Sequence, residues 1–267
     1  SSPSSAARTA KGHFVLSPDR GAEHPEDSML KFRSAALSDL GLVRQENEDR
    51  FIHDEVAGWF GVADGVGGLP AGAEAAERAV ERLIAALRAA GTAGEVDLPA
   101  WFRAVNREVR ELGRQLSPET GIGTTLTAGL VRNDVLHLGH VGDSRAYLSR
   151  GGELRHLTED HSVENEARRR RAQGQILPYR ESQRNALTRC IGQPDDPEVD
   201  VIAQPLSAGD RVLFCTDGVT RLVLERELGG MLAAARSPQD AVESLVQLAV
   251  RRGGPDNATA VALFVEA

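Results

Sequence analysis

The sequence predicts an α+β fold in which antiparallel sheets carry helices on their outer faces. Three observations predict it. Short β-like runs gather in blocks, at 33–38, 50–54 and 59–64, then at 123–131, 134–142, 144–149 and 153–157, with later runs at 198–204, 211–216 and 258–265. Two strongly amphipathic helices separate the first two blocks. Strands and helices show no regular βα alternation, and no internal repeat runs through the chain.

Taken in order, residues 1–30 are rich in Ser, Ala, Pro and charge without periodicity, the composition of a disordered tail or linker. The folded domain is therefore expected over 31–267. In the first helix Ala76, Val80, Leu83, Ile84 and Leu87 share one face; in the second Trp101, Phe102, Val105, Val109, Leu112 and Leu116 do so. A third helix is predicted from Pro238 to Arg251, with Val242, Leu245, Val246 and Ala249 inward and Ser237 as its cap. The segment 161–189 is polar and poor in core residues, and it reads as a mobile flap subdomain. Its run Arg168 to Arg171, beside Glu164 and Glu166, marks a solvated helix face rather than a nucleic-acid contact.

With 267 residues, 41% of them hydrophobic, the chain has material for a real core. A formal net charge of −8 argues against nucleic acid as a partner. No apolar stretch approaches the roughly 18 residues that span a bilayer, so a cytoplasmic protein, monomeric and away from membranes, is expected. The two cysteines, Cys190 and Cys215, have no CxxC spacing, and neither a disulfide framework nor structural zinc is expected.

Four apolar runs carry an aspartate at one end: Trp59 to Asp64, Val135 to Asp143, Val212 to Asp217, and Asp256 before Ala260 to Val265. Gly65, Gly218 and Asn257 follow three of these acids, and Glu48 and Asp49 precede a further run. Singly, Asp-Gly is a hairpin signal. As a set, the acids are either dispersed over the surface or gathered and neutralised by hard cations, because uncompensated like charge at that density opposes folding. Carboxylate and carbonyl oxygens suit magnesium or manganese, and the seven histidines are scattered. Asp64, Asp217 and Asp256 with the Gly65 carbonyl are a candidate ligand set for two ions. Such a pair activates a water and clamps an in-line displacement at phosphorus. Arg44, four residues before Glu48, is the candidate phosphate ligand, though it can also simply pair with that acid.

The motifs Arg44 to Asp49, Asp64-Gly65-Val66-Gly67-Gly68, Gly123-Thr124-Thr125, Gly142-Asp143-Ser144-Arg145, Leu157 to Ser162, Thr216-Asp217-Gly218 and Asp256-Asn257 resemble, in order, those of the metal-dependent Ser/Thr protein phosphatases of the type 2C class. The resemblance spans about residue 33 to 265 and is similar in style to bacterial members. It implies a four-layer αββα sandwich, two antiparallel sheets packed face to face between helix pairs, with a binuclear Mn2+ or Mg2+ centre at one end. It implies that Asp64 bridges both metals and Gly65 binds the first through its carbonyl. Asp217 and Asp256 then bind the second, while Glu48 and Asp49 organise metal-bound waters and Arg44 binds phosphate. Asp143 is a ligand of a third ion or a structural residue of the turn at Ser144. The function implied is hydrolysis of phosphoserine and phosphothreonine in proteins, including a cognate Ser/Thr kinase, by direct attack of a metal-bridging water.

Where some relatives carry His after the Asp-Gly pair, this chain has Val66. The general acid is thus unassigned, with His161 a candidate that more often serves structure. Two other functions are open. Cys215 to Arg221 fits the Cys-x5-Arg spacing of cysteine-nucleophile phosphatases, with Asp217 as an unwelcome charge in an anion cradle. A catalytically dead binding or scaffold domain is the other, although no metal-bridging acid is missing. A nucleotide loop is excluded, since Gly65 to Leu69 runs into Pro70.

Overall fold

The computed structural model describes residues 30–91 and 95–266, and near the N-terminus the backbone of β1 (Ala7–Arg8) and β2 (Phe14–Val15), which pair antiparallel. The tail expected over 1–30 otherwise lies outside the described residues.

Ten further strands build two sheets. They are β3 (Lys31–Asp39), β4 (Asp49–Asp54), β5 (Trp59–Asp64), β6 (Leu126–Arg132), β7 (Val135–Val141), β8 (Arg145–Arg150), β9 (Glu153–His156), β10 (Asp200–Pro205), β11 (Arg211–Cys215) and β12 (Ala258–Glu266). One sheet has the order β10-β7-β6-β5-β4, the other β3-β12-β11-β8-β9, and neighbouring strands are antiparallel throughout. The side-chain alternation of a strand here separates two apolar environments rather than core from solvent. Phe60 and Val62 of β5 and Leu136 and Leu138 of β7 face Phe214, Val261 and Leu263 of the other sheet. Ala63 of β5 and Val141 of β7, on the opposite faces of the same strands, turn outward to helices α1 (Gly72–Ala90) and α2 (Leu98–Leu116). On the other side Leu213, Cys215, Ala260 and Ala262 pack against α5 (Glu225–Ala234) and α6 (Pro238–Arg251). The result is the expected four-layer αββα sandwich.

The helices form where their stripes and caps specify. Asp97 accepts from the Ala100 amide at 2.9 Å and Ser237 from the Asp240 amide at 3.1 Å. Gly139 of β7 leaves room for the ring of Phe102, which an added Cβ would approach to 2.6 Å. The predicted α2 face is buried at Phe102, Val105 and Val109, but Leu116, at the helix end, is 49% exposed. The strand expected from 123 begins only at Leu126, because Thr124 instead makes isolated bridges to Gly65 and Ile191. Helix α5 had no clear periodicity, with Gly229 and Gly230 in its middle; burial of Leu228 and Leu232 holds it.

Residues 161–189 contain α3 (Val163–Ala172) and a 3-10 turn at Glu181–Gln183. The segment is closed on itself, Thr188 N–H donating to His161 O at 2.8 Å and Val163 N–H to Ala186 O at 2.9 Å. Only Asn165 of α3 is buried, and Arg170 pairs with Glu166 at 2.6 Å, so the arginine run is indeed a solvated face. Among the described residues no helix is long and apolar enough to cross a membrane.

Candidate active site

The strand ends carrying the acids converge at one end of the sandwich. Asp49 and Asp64 are directly paired in the β4–β5 register. Asp143 follows β7 through Gly142, whose φ of +118° and whose contact with Thr125, 2.6 Å from an added Cβ, admit no side chain. Asp217 opens the single-turn helix α4 (Asp217–Thr220) directly after Thr216, at the end of β11, and Asp256 stands two residues before β12. Gly218 lets these two approach, since a Cβ there would lie 1.8 Å from Asn257 O. Gly65 likewise meets backbone: a Cβ would fall 2.5 Å from Gly72, at the start of α1.

Neutral polar groups lock this arrangement. The Asp64 amide donates to Thr125 Oγ1 (2.9 Å), and Asp64 O accepts from the Thr125 amide (2.8 Å) and Thr124 Oγ1 (2.9 Å). Asp49 Oδ2 accepts from the hydroxyls of Thr216 (2.8 Å) and Thr259 (2.7 Å). Asn257 Oδ1 accepts from the Glu48 amide (2.8 Å) while its Nδ2 donates to Leu40 O (2.9 Å) and Glu46 O (3.1 Å). Sequence reasoning gave Thr125, Thr216, Thr259 and Asn257 no role of their own. Their signal was a hydroxyl or amide beside or opposite an acid.

Charge is not balanced so well. Burial first, and then the hydrogen bonds and charges around them, shift these acids: Asp49 and Asp143 are each pushed up to about 7. Asp64, buried and facing Asp49, Asp217, Asp143 and Asp256, lies well above the carboxylate range, and burial also raises Asp217 and Glu48. Asp49 Oδ1 and Asp217 Oδ1 are buried without a partner. Two guanidiniums compensate in part. Arg44 donates to Asp256 Oδ2 at 3.0 Å and to Glu48 Oε2 at 3.1 Å, and its Nε lies 3.0 Å from Asp256 Oδ1. Arg221 pairs with Asp217 and lies 3.9 Å from both Asp143 Oδ2 and Asp256 Oδ2.

Among the described residues no three acid, His or Cys side chains are already closed on one point. What fits a hard divalent ion is the donor set, carboxylates only, with orphaned buried oxygens aimed among them. The remaining candidates fall away. Cys215 is wholly buried on β11 and its thiol is pushed up to about 12 by burial, the opposite of a nucleophilic thiolate; its supposed partner Arg221 is engaged by Asp217. His161 accepts from the Gly142 amide at 3.0 Å through Nδ1, contacts Asp200 at 3.2 Å through Nε2, and is held neutral by burial; it props the Asp143 turn.

The family profile described as Protein phosphatase 2C matches residues 42–251, from two residues before Arg44 to the end of α6. The chain belongs to the protein phosphatase 2C family. This phosphatase is 34% identical over 235 residues to the Serine/threonine phosphatase stp of Listeria welshimeri, spanning 83% of this chain and 91% of that one. It is 36% identical over 240 residues to the Serine/threonine protein phosphatase PstP of Mycobacterium tuberculosis, spanning 87% of this chain and 45% of that longer protein. The crystal structure of the PstP catalytic domain in complex with 2 manganese ions superposes with a TM-score of 0.71 at 34% identity, covering 90% of this chain and 100% of that one. The protein is thus an enzyme, a metal-dependent serine/threonine phosphatase, and neither the scaffold nor the cysteine-nucleophile reading has support.

Proposed function

We propose that phosphoserine and phosphothreonine in proteins are hydrolysed at the strand-end acid cluster, by direct attack of water and with no phosphoenzyme. In this reading Asp64, the Gly65 carbonyl, Asp217 and Asp256 hold a pair of manganese or magnesium ions, and Glu48 and Asp49 hold the waters around them. Asp143 stands beside Asp217 at the edge of this set, as a ligand of a further ion or as a residue of the turn at Ser144. When bound, the ions supply an activated water and Lewis-acid contacts to the phosphoryl oxygens. Arg44 is the phosphate ligand: its guanidinium already forks onto two carboxylate oxygens of Asp256, the geometry that serves equally for two phosphate oxygens. No side chain is assigned as general acid, because Val66 has no proton to give and His161 is neutral and committed to Gly142. As the new P–O bond forms, the bond to the Ser or Thr oxygen breaks and that oxygen takes its proton from solvent.

The observation that carries the reading is the pair of buried, unpartnered oxygens, Asp49 Oδ1 and Asp217 Oδ1, inside a cluster of mutually raised carboxyls. The deciding experiment is turnover of p-nitrophenyl phosphate with manganese, chelator and the Asp64→Ala variant. Loss of turnover with chelator and in the variant is expected; retained turnover in Asp64→Ala overturns the metal assignment.

Substrate choice is proposed to lie in the flap subdomain, residues 161–189. A cleft of about 650 Å³ between it and Arg145, His156 and Glu225 gives a peptide somewhere to lie. Exchanging this segment for a relative's should alter phosphopeptide preference and leave aryl phosphate turnover unchanged; equal change in both refutes it. The acting unit is proposed to be a monomer, since the chain's own layers cover both faces of each sheet.

A further inference from the structure

Arg221 has no task in the metal set proposed above, yet it is built into it. The one-turn helix α4 fixes its position: the Arg221 amide donates to Asp217 O at 2.8 Å, and its side chain returns to the same residue's carboxylate. From there the guanidinium stands 3.9 Å from Asp143 and 3.9 Å from Asp256. Its side chain is 42% exposed where those of Asp143 and Asp217 are 12%, so it caps the two acids from the solvent side. Arg44 approaches Asp256 and Glu48 as the cluster's second guanidinium. In the resting site two guanidiniums set against six carboxylates leave a charge that two divalent ions match. A guanidinium and a divalent ion repel each other at such separations, so a third ion between Asp143 and Asp217, beyond the two the net charge matches, would have to displace Arg221.

We propose that Arg221 supplies, from within the chain, the positive charge between Asp143 and Asp217 that would otherwise draw a third divalent ion, so that the resting enzyme takes up two. This rests on the two-ion reading of the site. On it, Asp143 is bound to a resident cation and is not a metal ligand.

The test is manganese uptake by the stripped full chain without substrate, measured by isothermal titration calorimetry and by metal analysis after equilibrium dialysis. Wild type should take up two ions, Arg221→Gln a third, and the double variant Arg221→Gln, Asp143→Asn two again. Asp143→Asn alone should still take up two, which tests the idea without touching Arg221, should that variant fail to fold. Three ions in wild type, an unchanged two in folded Arg221→Gln, or loss of an ion in Asp143→Asn each overturns the proposal. Manganese-dependent turnover accompanied by any of these leaves the phosphatase reading standing, whereas absence of all uptake and turnover removes both.

Discussion

Two groups of buried and half-buried carboxylates in this molecule are handled in opposite ways. Asp210, 1% exposed at its side chain, has a partner on every side: Arg150 Nε at 2.7 Å and Nη2 at 2.6 Å, and the Ser207 amide at 2.8 Å. Asp160 is likewise forked by Arg145 at 2.8 and 2.6 Å. At the strand ends, by contrast, six acids share Arg44 and Arg221, and Asp49 and Asp217 each keep an orphaned oxygen. Where a buried acid serves the fold, the chain completes its hydrogen bonds. At the proposed metal site, the chain leaves the charge for something else to complete.

The sharpest break of this contrast is activity. Asp64→Ala should lose on the order of 10³-fold or more in manganese-dependent turnover, since it removes the acid on which four others converge, as steady-state assays will show. Stability comes next, and here the two groups should differ in sign. Asp210→Asn should destabilise by about 1–3 kcal/mol in urea titration, because it unmakes a satisfied cluster. Asp49→Asn should instead stabilise the metal-free protein by about 1 kcal/mol. It keeps an oxygen for Thr216 and Thr259 while deleting the charge. Destabilisation by both variants alike would erase the distinction.

A pH series sharpens the same point. In the folded, metal-free chain Asp49 keeps its proton up to about 7, whereas unfolding returns it to the ordinary carboxylate value. Between those values the folded state holds the extra proton, so this contribution is fully present at low pH and is lost as pH rises toward 7. The melting temperature of wild type should therefore fall relative to that of Asp49→Asn from about pH 4.5 to about pH 7. Manganese uptake by wild type should tighten over about pH 6 to 8 in calorimetry, with proton release. The smallest effect is expected on the α3 face, where replacing Arg169 and Arg171 by Gln should change stability by less than about 0.5 kcal/mol.

Much of this was legible in the sequence because it is written locally. The strands alternate, the helix faces repeat, and each acid sits at one end of an apolar run; gathering of Asp49, Asp64, Asp143, Asp217 and Asp256 was one of two readings this pattern left open, and the motif resemblance pointed to it. What was not legible depends on partners distant along the chain. Residues 123–125 read as strand but serve as the bracket of Asp64, with Thr124 bridging Gly65 and Ile191. Gly65 and Gly218 read as the residues after two of the acids; the close approach they permit, to backbone at Gly72 and Asn257, is set by partners far along the chain. Arg221 appeared only as a possible nucleophile's companion, although its i,i+4 spacing from Asp217 already put it on that acid.

The placing of β12 has a consequence for how the enzyme comes into being. It is the last of the described strands in chain order yet lies between β3 and β11, in the interior of its sheet, and it brings Asp256, Asn257 and Thr259 to the site. A chain still on the ribosome short of these residues lacks both the strand that ties β3 into that sheet and the amide that holds the Arg44 loop. Completion of the site therefore waits for residues 256–259, and a chain made only up to them has no closed acid cluster with which to strip phosphate from its neighbours.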